Sequence, residues 1–256
     1  MDQKIELKIC MLNMNYGKQL MNLSIIEIYE QLKKNTNDVD IILIIDCILE
    51  INNEKSQKIF RVMEMLKFEL VISRDVYNAL SEELMTKKII CEWKLKNAIW
   101  RHKHSIKFNK IPIQNCTLKI SSDFIIPSKT IILTKLKIYD KIVNIICGQF
   151  SNDISNSELI LQINKLNDFI ENHYQNNEII ILGCENRLNK TMIENMIEKK
   201  WFILESNNDS TFNKNIFMIK SYPLYIDCYT YNTKYSENTT IQTELFNTMN
   251  ILTVYI

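Results

Sequence analysis

The chain has 256 residues and a mass of 30.4 kDa, with 46% hydrophobic and 24% charged residues, the balance of a core-forming protein and not of a disordered one. A formal net charge of +1 excludes a uniformly basic nucleic-acid binder and an acidic tail protein, though not a local patch. Only 3 Gly and 3 Pro occur, too few for the glycine-rich loops that cradle phosphates.

Taken in chain order, strand and helix patterns alternate without a linker. An apolar strand over 5–13 is followed by helical spacing over 23–32, carried by Ile25, Ile28, Tyr29 and Leu32. The run 40–47 is almost continuously apolar, as in a strand covered on both faces. A second helix follows around Ile59, Val62, Met63 and Leu66, then a short strand over 69–73. The middle changes character: β-branched runs at 96–101, 105–113, 116–120, 129–138 and 141–148 read as strands, with Pro112 and Pro127 confining theirs to edges or ends. A long helix through Leu159, Ile163, Leu166 and Ile170 has Ser155 or Ser157 as its N-cap. A strand over 178–183, a helix over 189–199 and strands at 201–205, 215–220, 223–230 and 250–256 complete the chain. The order βαβαβ, a block of strands, βαβ and more strands predicts one α/β domain over 1–256.

The seven cysteines, at 10, 47, 91, 116, 147, 184 and 228, are widely spaced and form no CxxC pair. They predict buried, reduced thiols in a cytoplasmic protein, not a disulfide framework or a zinc site. The N-terminus lacks an apolar signal core, and the apolar run 41–49 is short and broken by Asp46, so no membrane span is expected.

Chemistry-bearing residues gather at strand ends. The segments are Met11-Leu12-Asn13-Met14-Asn15, Ile44-Ile45-Asp46-Cys47, Cys147-Gly148-Gln149-Phe150, Leu182-Gly183-Cys184-Glu185-Asn186 and Phe246-Asn247-Thr248-Met249-Asn250. In order and spacing this set resembles the endonuclease/exonuclease/phosphatase (deoxyribonuclease I-like) superfamily, nearest its tyrosyl-DNA phosphodiesterase branch. Asn97-Ala98-Ile99-Trp100 likewise resembles an internal strand of that family. The resemblance implies a four-layer α/β sandwich, two packed mixed sheets with helices outside. It also implies phosphoester hydrolysis by a carboxylate-held divalent metal and an activated water.

Position by position, the resemblance aligns Asn13 with the family's first Asn, Asn186 with the Asn of Gly-Asp-x-Asn, and Asp46 with its metal-binding Glu. Gln149 stands where a phosphate-binding His is expected, Cys184 where the Asp of Gly-Asp-x-Asn is expected, and Met249 and Asn250 where Asp-His is expected. Lys214 and Asn215 occupy a stretch that usually supplies another Asp. Amide, thiol and thioether groups neither take a proton from water as a base does nor hold Mg²⁺ as a carboxylate does. The expectation is therefore a catalytically inactive site, Asp46 being a remnant metal ligand or a solvated strand-end carboxylate. Glu185 is expected to face away from the Cys184 position, because neighbouring strand residues alternate.

Other signals have structural readings. His102 and His104 are expected on one face of a strand, and His173 closes a helix where a cation suits the dipole. The run 100–107 mixes cations with Trp100, as a nucleic-acid strip or a lysine-protected edge strand does. Tyr222, Tyr225, Tyr229, Tyr231 and Tyr235 suit base stacking, a protein interface or plain packing. Roughly one residue in six is Ile and about one in nine Asn; their AT-rich codons point to an AT-rich genome, a large DNA virus among them. The expected function is that of an inactive phosphodiesterase-fold protein kept as a binding or structural module, with a protein partner, nucleic acid as alternative, and no cofactor. The competing readings are a Mg²⁺-dependent nuclease or phosphodiesterase with a divergent site, and an unrelated α/β protein.

Overall fold

The computed structural model describes residues 5–14, 23–48, 54–75, 95–105, 107–108, 114–120, 130–139, 141–150, 155–174, 178–186, 190–204, 214–221, 227–233 and 249–255. The elements in chain order are β1 (Glu6–Asn13), α1 (Ile25–Thr36), β2 (Ile41–Ile48), α2 (Glu54–Met65), β3 (Phe68–Asp75) and β4 (Leu95–His102). Next come β5 (Gln114–Lys119), β6 (Thr130–Ile138), β7 (Lys141–Gln149), α3 (Asn156–His173), β8 (Ile179–Asn186) and α4 (Lys190–Glu198). The last are β9 (Phe202–Leu204), β10 (Lys214–Ser221), β11 (Asp227–Thr233) and β12 (Met249–Tyr255).

The strands form two six-stranded mixed sheets, ordered β11-β12-β1-β2-β4-β3 and β5-β6-β7-β8-β10-β9. Each sheet contains one parallel pair joined through a helix, β1/β2 through α1 and β7/β8 through α3; the other pairings are antiparallel. Strand alternation explains the layering. Leu7, Ile9 and Met11 of β1 join Val143, Ile145 and Cys147 of β7 in the core between the sheets. Cys10, Leu12 and Met14 pack outward with Ile28 and Leu32 of α1 and Ile59, Val62 and Met63 of α2. On the second sheet, Ile146, Leu182 and Met218 pack outward with Leu159, Ile163 and Leu166 of α3 and Met192 and Met196 of α4. The result is the expected four-layer α/β sandwich, with apolar faces buried on both sides of each sheet.

Local chemistry sets the helix ends. Ser24 caps α1 in a reciprocal box with Glu27. Ser155, not Ser157, caps α3 by accepting from the Glu158 amide. The end of α4 is closed by Lys200, at φ 64°, with the Lys200 amide bonded to the Ile197 carbonyl and the Trp201 amide to that of Met196. Trp201 thereby turns back into the outer core, where its indole N–H donates to Asn167 Oδ1 at 2.9 Å. The same oxygen lies 3.4 Å from the ammonium of Lys220, which is 1% exposed. Burial lowers the pKa of that lysine, partly offset by Glu171.

Two sequence expectations need correction. The run 100–107 is not an edge strand: β4 lies between β2 and β3, with Trp100 buried against Phe60 and Arg101 paired to Glu69 at 2.7 Å. His102 and His104 do not share a strand face, since β4 ends at His102 and His104 sits in the following turn. The expected strand over 105–113 lies outside the described residues save for Ser105, Lys107 and Phe108, the last of which bridges Ile138. Pro112, Pro127, Tyr222, Tyr225, Tyr235, Cys91 and residues 223–226 also lie outside them.

Candidate functional site

Strand direction gathers the candidate positions at one end of the sandwich. β1 and β2 run parallel, so Asn13 pairs with Ile45 and position 46 follows beside it. β12 runs antiparallel to β1 and begins at that end, with Asn250 opposite Met11. In the second sheet β7 and β8 run parallel and finish together, Gln149 opposite Glu185, while β10 starts at Lys214 opposite Asn186. The ends of the two sheets coincide. The Cys147 thiol lies 3.8 Å from the Ile44 carbonyl, joining β7 to β2. A Cβ on Gly183 would lie 2.4 Å from Leu43 Cδ1 and 3.1 Å from Met11 Sδ, so at Gly183 β8 packs tightly on side chains of β1 and β2. By backbone register, positions 13, 46, 149, 184, 186, 249 and 250 thus all lie at the same end of the sandwich, the carboxyl end, or mouth, of the parallel pairs.

The faces on which they lie differ. Gln149 is 7% exposed and follows Val143, Ile145 and Cys147 on the face toward the other sheet. Its neutral carboxamide hydrogen-bonds but is neither a base nor an anionic ligand. Cys184 is fully buried on the opposite face, among Phe150, Met192, Ile216 and Met218 beneath the helices. Met249 is also fully buried, in the outer cluster under α1 and α2. The two positions where acidic groups were expected therefore belong to apolar outer layers. Alternation instead gives position 185 the face of Ile181 and Gly183, toward the first sheet.

Sequence reading missed two features of this end. The β2/β4 register shifts between Ile44 and Cys47, a bulge that inserts an extra residue at Ile45–Asp46. Ile44 and Cys47 both pack outward, so the bulge re-aims the chain at position 46. Opposite that bulge, on β4, lies Asn97, a polar residue only 1% exposed. The signal for Asn97 was present, a lone amide ahead of Ala98-Ile99-Trp100 in an apolar strand; the bulge has no signal in the sequence.

The basic run lies elsewhere. Because β4 is antiparallel to β2, its His102 end sits beside Asp40, at the start of β2 and far from the mouth. Asp40 is 6% exposed and accepts from the Lys8 amide at 2.9 Å and the Lys107 ammonium at 2.7 Å, with the Ser105 hydroxyl at 3.3 Å. Burial, then the neighbouring His104, holds the His102 imidazole below its ordinary range. Arg101 and Lys107 are thus engaged in ion pairs, and the run does not lead into the mouth.

The described side chains at the mouth supply no carboxylate for a divalent cation. Hard cations require several oxygen ligands, usually including one or two carboxylates; Cys184 and Met249 offer sulfur turned into apolar layers, and Gln149 offers one amide oxygen. Among the described residues no three His, Cys, Asp or Glu side chains gather as a metal centre. None of the helices there is long and apolar enough to cross a membrane.

By sequence alone the chain matches no family model and no curated protein. Solved structures match it over its whole length. An endonuclease/exonuclease/phosphatase from Bacteroides vulgatus has a TM-score of 0.70 at 7% identity, covering 99% of each chain. The mannosyl-6-phosphatase Bt3783 of Bacteroides thetaiotaomicron scores 0.67 at 9% identity, covering 98% of this chain and 99% of that one. TDP2 of D. rerio, solved with a single-strand DNA product, scores 0.59 at 7% identity, with 98% and 99% covered. The fold is that of the endonuclease/exonuclease/phosphatase, or deoxyribonuclease I-like, structures. The likeness does not single out the tyrosyl-DNA phosphodiesterase branch, since the TDP2 structures score below the Bacteroides proteins.

Proposed function

We propose that this protein is a catalytically inactive member of the endonuclease/exonuclease/phosphatase group, acting inside the cell as a binding module whose partner is another protein. The observation that carries the reading is the fate of two positions: Cys184 and Met249 are fully buried, facing the helices, where the fold's hydrolases are expected to present acids to the mouth. With Gln149 in place of an imidazole, the mouth has lost its proton acceptor as well as its ligands. Each such loss costs about 10²–10⁴ in rate, and the losses fall on groups that act together. The fold relatives act on a sugar phosphate or carry a DNA product, so the fold itself selects no ligand.

A second reading rests on position 185. Its place on the inter-sheet face, opposite Gln149, would let Glu185 join Asp46 as a substitute ligand in a living Mg²⁺ enzyme. Isothermal titration of the purified protein with MgCl₂ and MnCl₂ separates the two. The inactive-module reading predicts no saturable heat below millimolar metal and no difference between wild type, Asp46→Ala and Glu185→Gln. Submillimolar binding lost in both variants would establish the metal enzyme instead.

A further inference from the structure

The end of the sandwich opposite the mouth carries a tie between the two sheets. β4 finishes there at His102, and the residues that follow reach from the first sheet to the second. On the first sheet their anchors are the Lys107 ammonium, 2.7 Å from Asp40 Oδ2, and the Ser105 hydroxyl, 3.3 Å from Asp40 Oδ1. On the second sheet the Lys107 carbonyl accepts from the Tyr139 amide at 3.0 Å. Phe108 bridges Ile138 and packs against the core between the sheets. Both anchors on the first sheet thus use one carboxylate, which is 6% exposed and also accepts from the Lys8 amide.

A titratable ring stands beside that carboxylate. Ile41 pairs with Arg101 across β2 and β4, so Asp40 lies opposite His102, and the His102 amide donates to the Asp40 carbonyl at 2.9 Å. Alternation puts both side chains on the outer face, with Ile42 and Trp100. The half-buried imidazole meets the rings of Phe68 and His104 edge-on, with centroids 5.4 and 6.1 Å away. Three elements supply the charges that act on it: His104 in the turn after β4, Asp40 at the start of β2, and Lys67 between α2 and β3. Near Lys67, Glu64 accepts from the Lys67 amide and Lys103 donates to the Lys67 carbonyl through their backbones, and both side chains are exposed. Arg101 and Glu69 pair with each other at 2.7 Å, and the Lys8 ammonium of β1 is engaged by Asp38 and Glu6. Among the described groups, Asp40 is therefore the one anion acting on the ring.

We propose that this corner is an acid-sensitive latch between the sheets: the His102 imidazolium takes the Asp40 carboxylate from Lys107 and so releases the hold of Lys107 and Phe108 on the second sheet. With the ring neutral, Asp40 is left to Lys107. Protonation sets two cations beside one desolvated carboxylate, and His104 and Lys67 bring no further anion. Lys107 is the partner that leaves, since its side chain is 25% exposed on a flexible stem, whereas His102 is fixed between two strands. One proton passes from solvent to the ring; Asp40 and Lys107 keep their charges. The direction with pH follows. Burial, then His104, holds the folded imidazole below its ordinary value of 6.5. The closed latch is therefore fully in place above about pH 6.5 and is lost as pH falls toward the folded value.

The test is nuclear magnetic resonance of the full-length protein between about pH 8 and pH 5, the window in which histidine titrates. It follows the His102 ring and the hydrogen-exchange protection of single amides, corrected for the intrinsic effect of pH. The expected result is a fall of about tenfold or more in protection of the Tyr139 amide, with the midpoint of the His102 titration. The Lys8 amide, bonded to Asp40, and the Ile145 amide, in the core strand β7, keep theirs. His102→Gln removes the step, and Lys107→Met brings Tyr139 at high pH to the value of the acidic wild type. The proposal is overturned if Tyr139 protection is independent of pH, if it falls equally in His102→Gln, or if Lys107→Met leaves it unchanged. It is equally overturned if Lys8 and Ile145 lose protection in step, which is acid unfolding of the whole chain. The wild type alone carries a parallel readout should His102→Gln not fold. The Lys107 side-chain carbon and nitrogen signals shift with the His102 midpoint, and signals that do not follow it overturn the latch.

Discussion

Replacing Cys184 with Asp, the residue that would restore the family's motif, is expected to destabilise the protein through its ionisation by roughly 4 kcal/mol at neutral pH, the limit set by the distance from the unfolded pKa, and by more at higher pH. A fully buried acid has its pKa raised by about 3–5 units, each worth about 1.36 kcal/mol. Position 184 meets that condition: it is inaccessible to solvent and surrounded by Phe150, Met192, Ile216 and Met218. The sign of the pH dependence follows. The folded carboxyl titrates above the unfolded one, so the penalty is absent below the unfolded pKa, near 4 (about 3.9), and grows as pH rises toward the folded value. Urea titrations of Cys184→Asp and its neutral near-isostere Cys184→Asn should converge near pH 3.5 and diverge by several kcal/mol at pH 8. Equal stabilities at pH 8 would mean that position 184 reaches water, and with it the mouth.

Removal of Glu178 is the second large effect. This carboxylate, 3% exposed just before β8, accepts from the Lys135 ammonium and from Asn144 Nδ2, each at 2.8 Å. Lys135 also sits 5.1 Å from the Tyr174 ring centre, and burial raises the pKa of that phenol. Glu178→Ala leaves the Lys135 ammonium without this acceptor and the buried Asn144 amide with only its 3.4 Å bond to the Ile179 carbonyl, a loss of about 3–5 kcal/mol. Glu178→Gln keeps one acceptor oxygen and should cost less. Thermal unfolding of the two variants checks the order. A Glu178→Ala variant as stable as wild type would show that the pair contributes nothing net.

The architecture was legible in the sequence because its signals are periodic. Ile25, Ile28 and Leu32 repeat at helical spacing, 40–47 runs apolar as a two-faced buried strand, and Ser155 caps a long helix; each produced the element observed. The sheet to which a strand belongs was not legible. β4 and β5 are neighbours in the chain yet lie in different sheets, and nothing local in 96–101 or 116–120 encodes that. This is why Trp100–Lys107 was misread as an edge. The strand ends were legible but not the faces: Cys184 and Glu185 are one residue apart, and only the packing of Leu182 outward and Gly183 inward shows that Cys184 belongs beneath the helices. The bulge at Ile45–Asp46 depends on pairing with β4, a long-range event with no local code.

The most direct measurement is turnover. Purified wild-type protein at micromolar concentration is incubated with 5′-phosphotyrosyl DNA, single-stranded DNA and mannose 6-phosphate, with MgCl₂ or MnCl₂ at about 5 mM, near the weak end expected of simple carboxylate sites. An inactive module predicts product no greater than in the EDTA control, and identical traces for Asp46→Ala and Glu185→Gln. Metal-dependent product above that control, abolished by either substitution, would contradict the account and establish an active phosphoesterase with a relocated carboxylate.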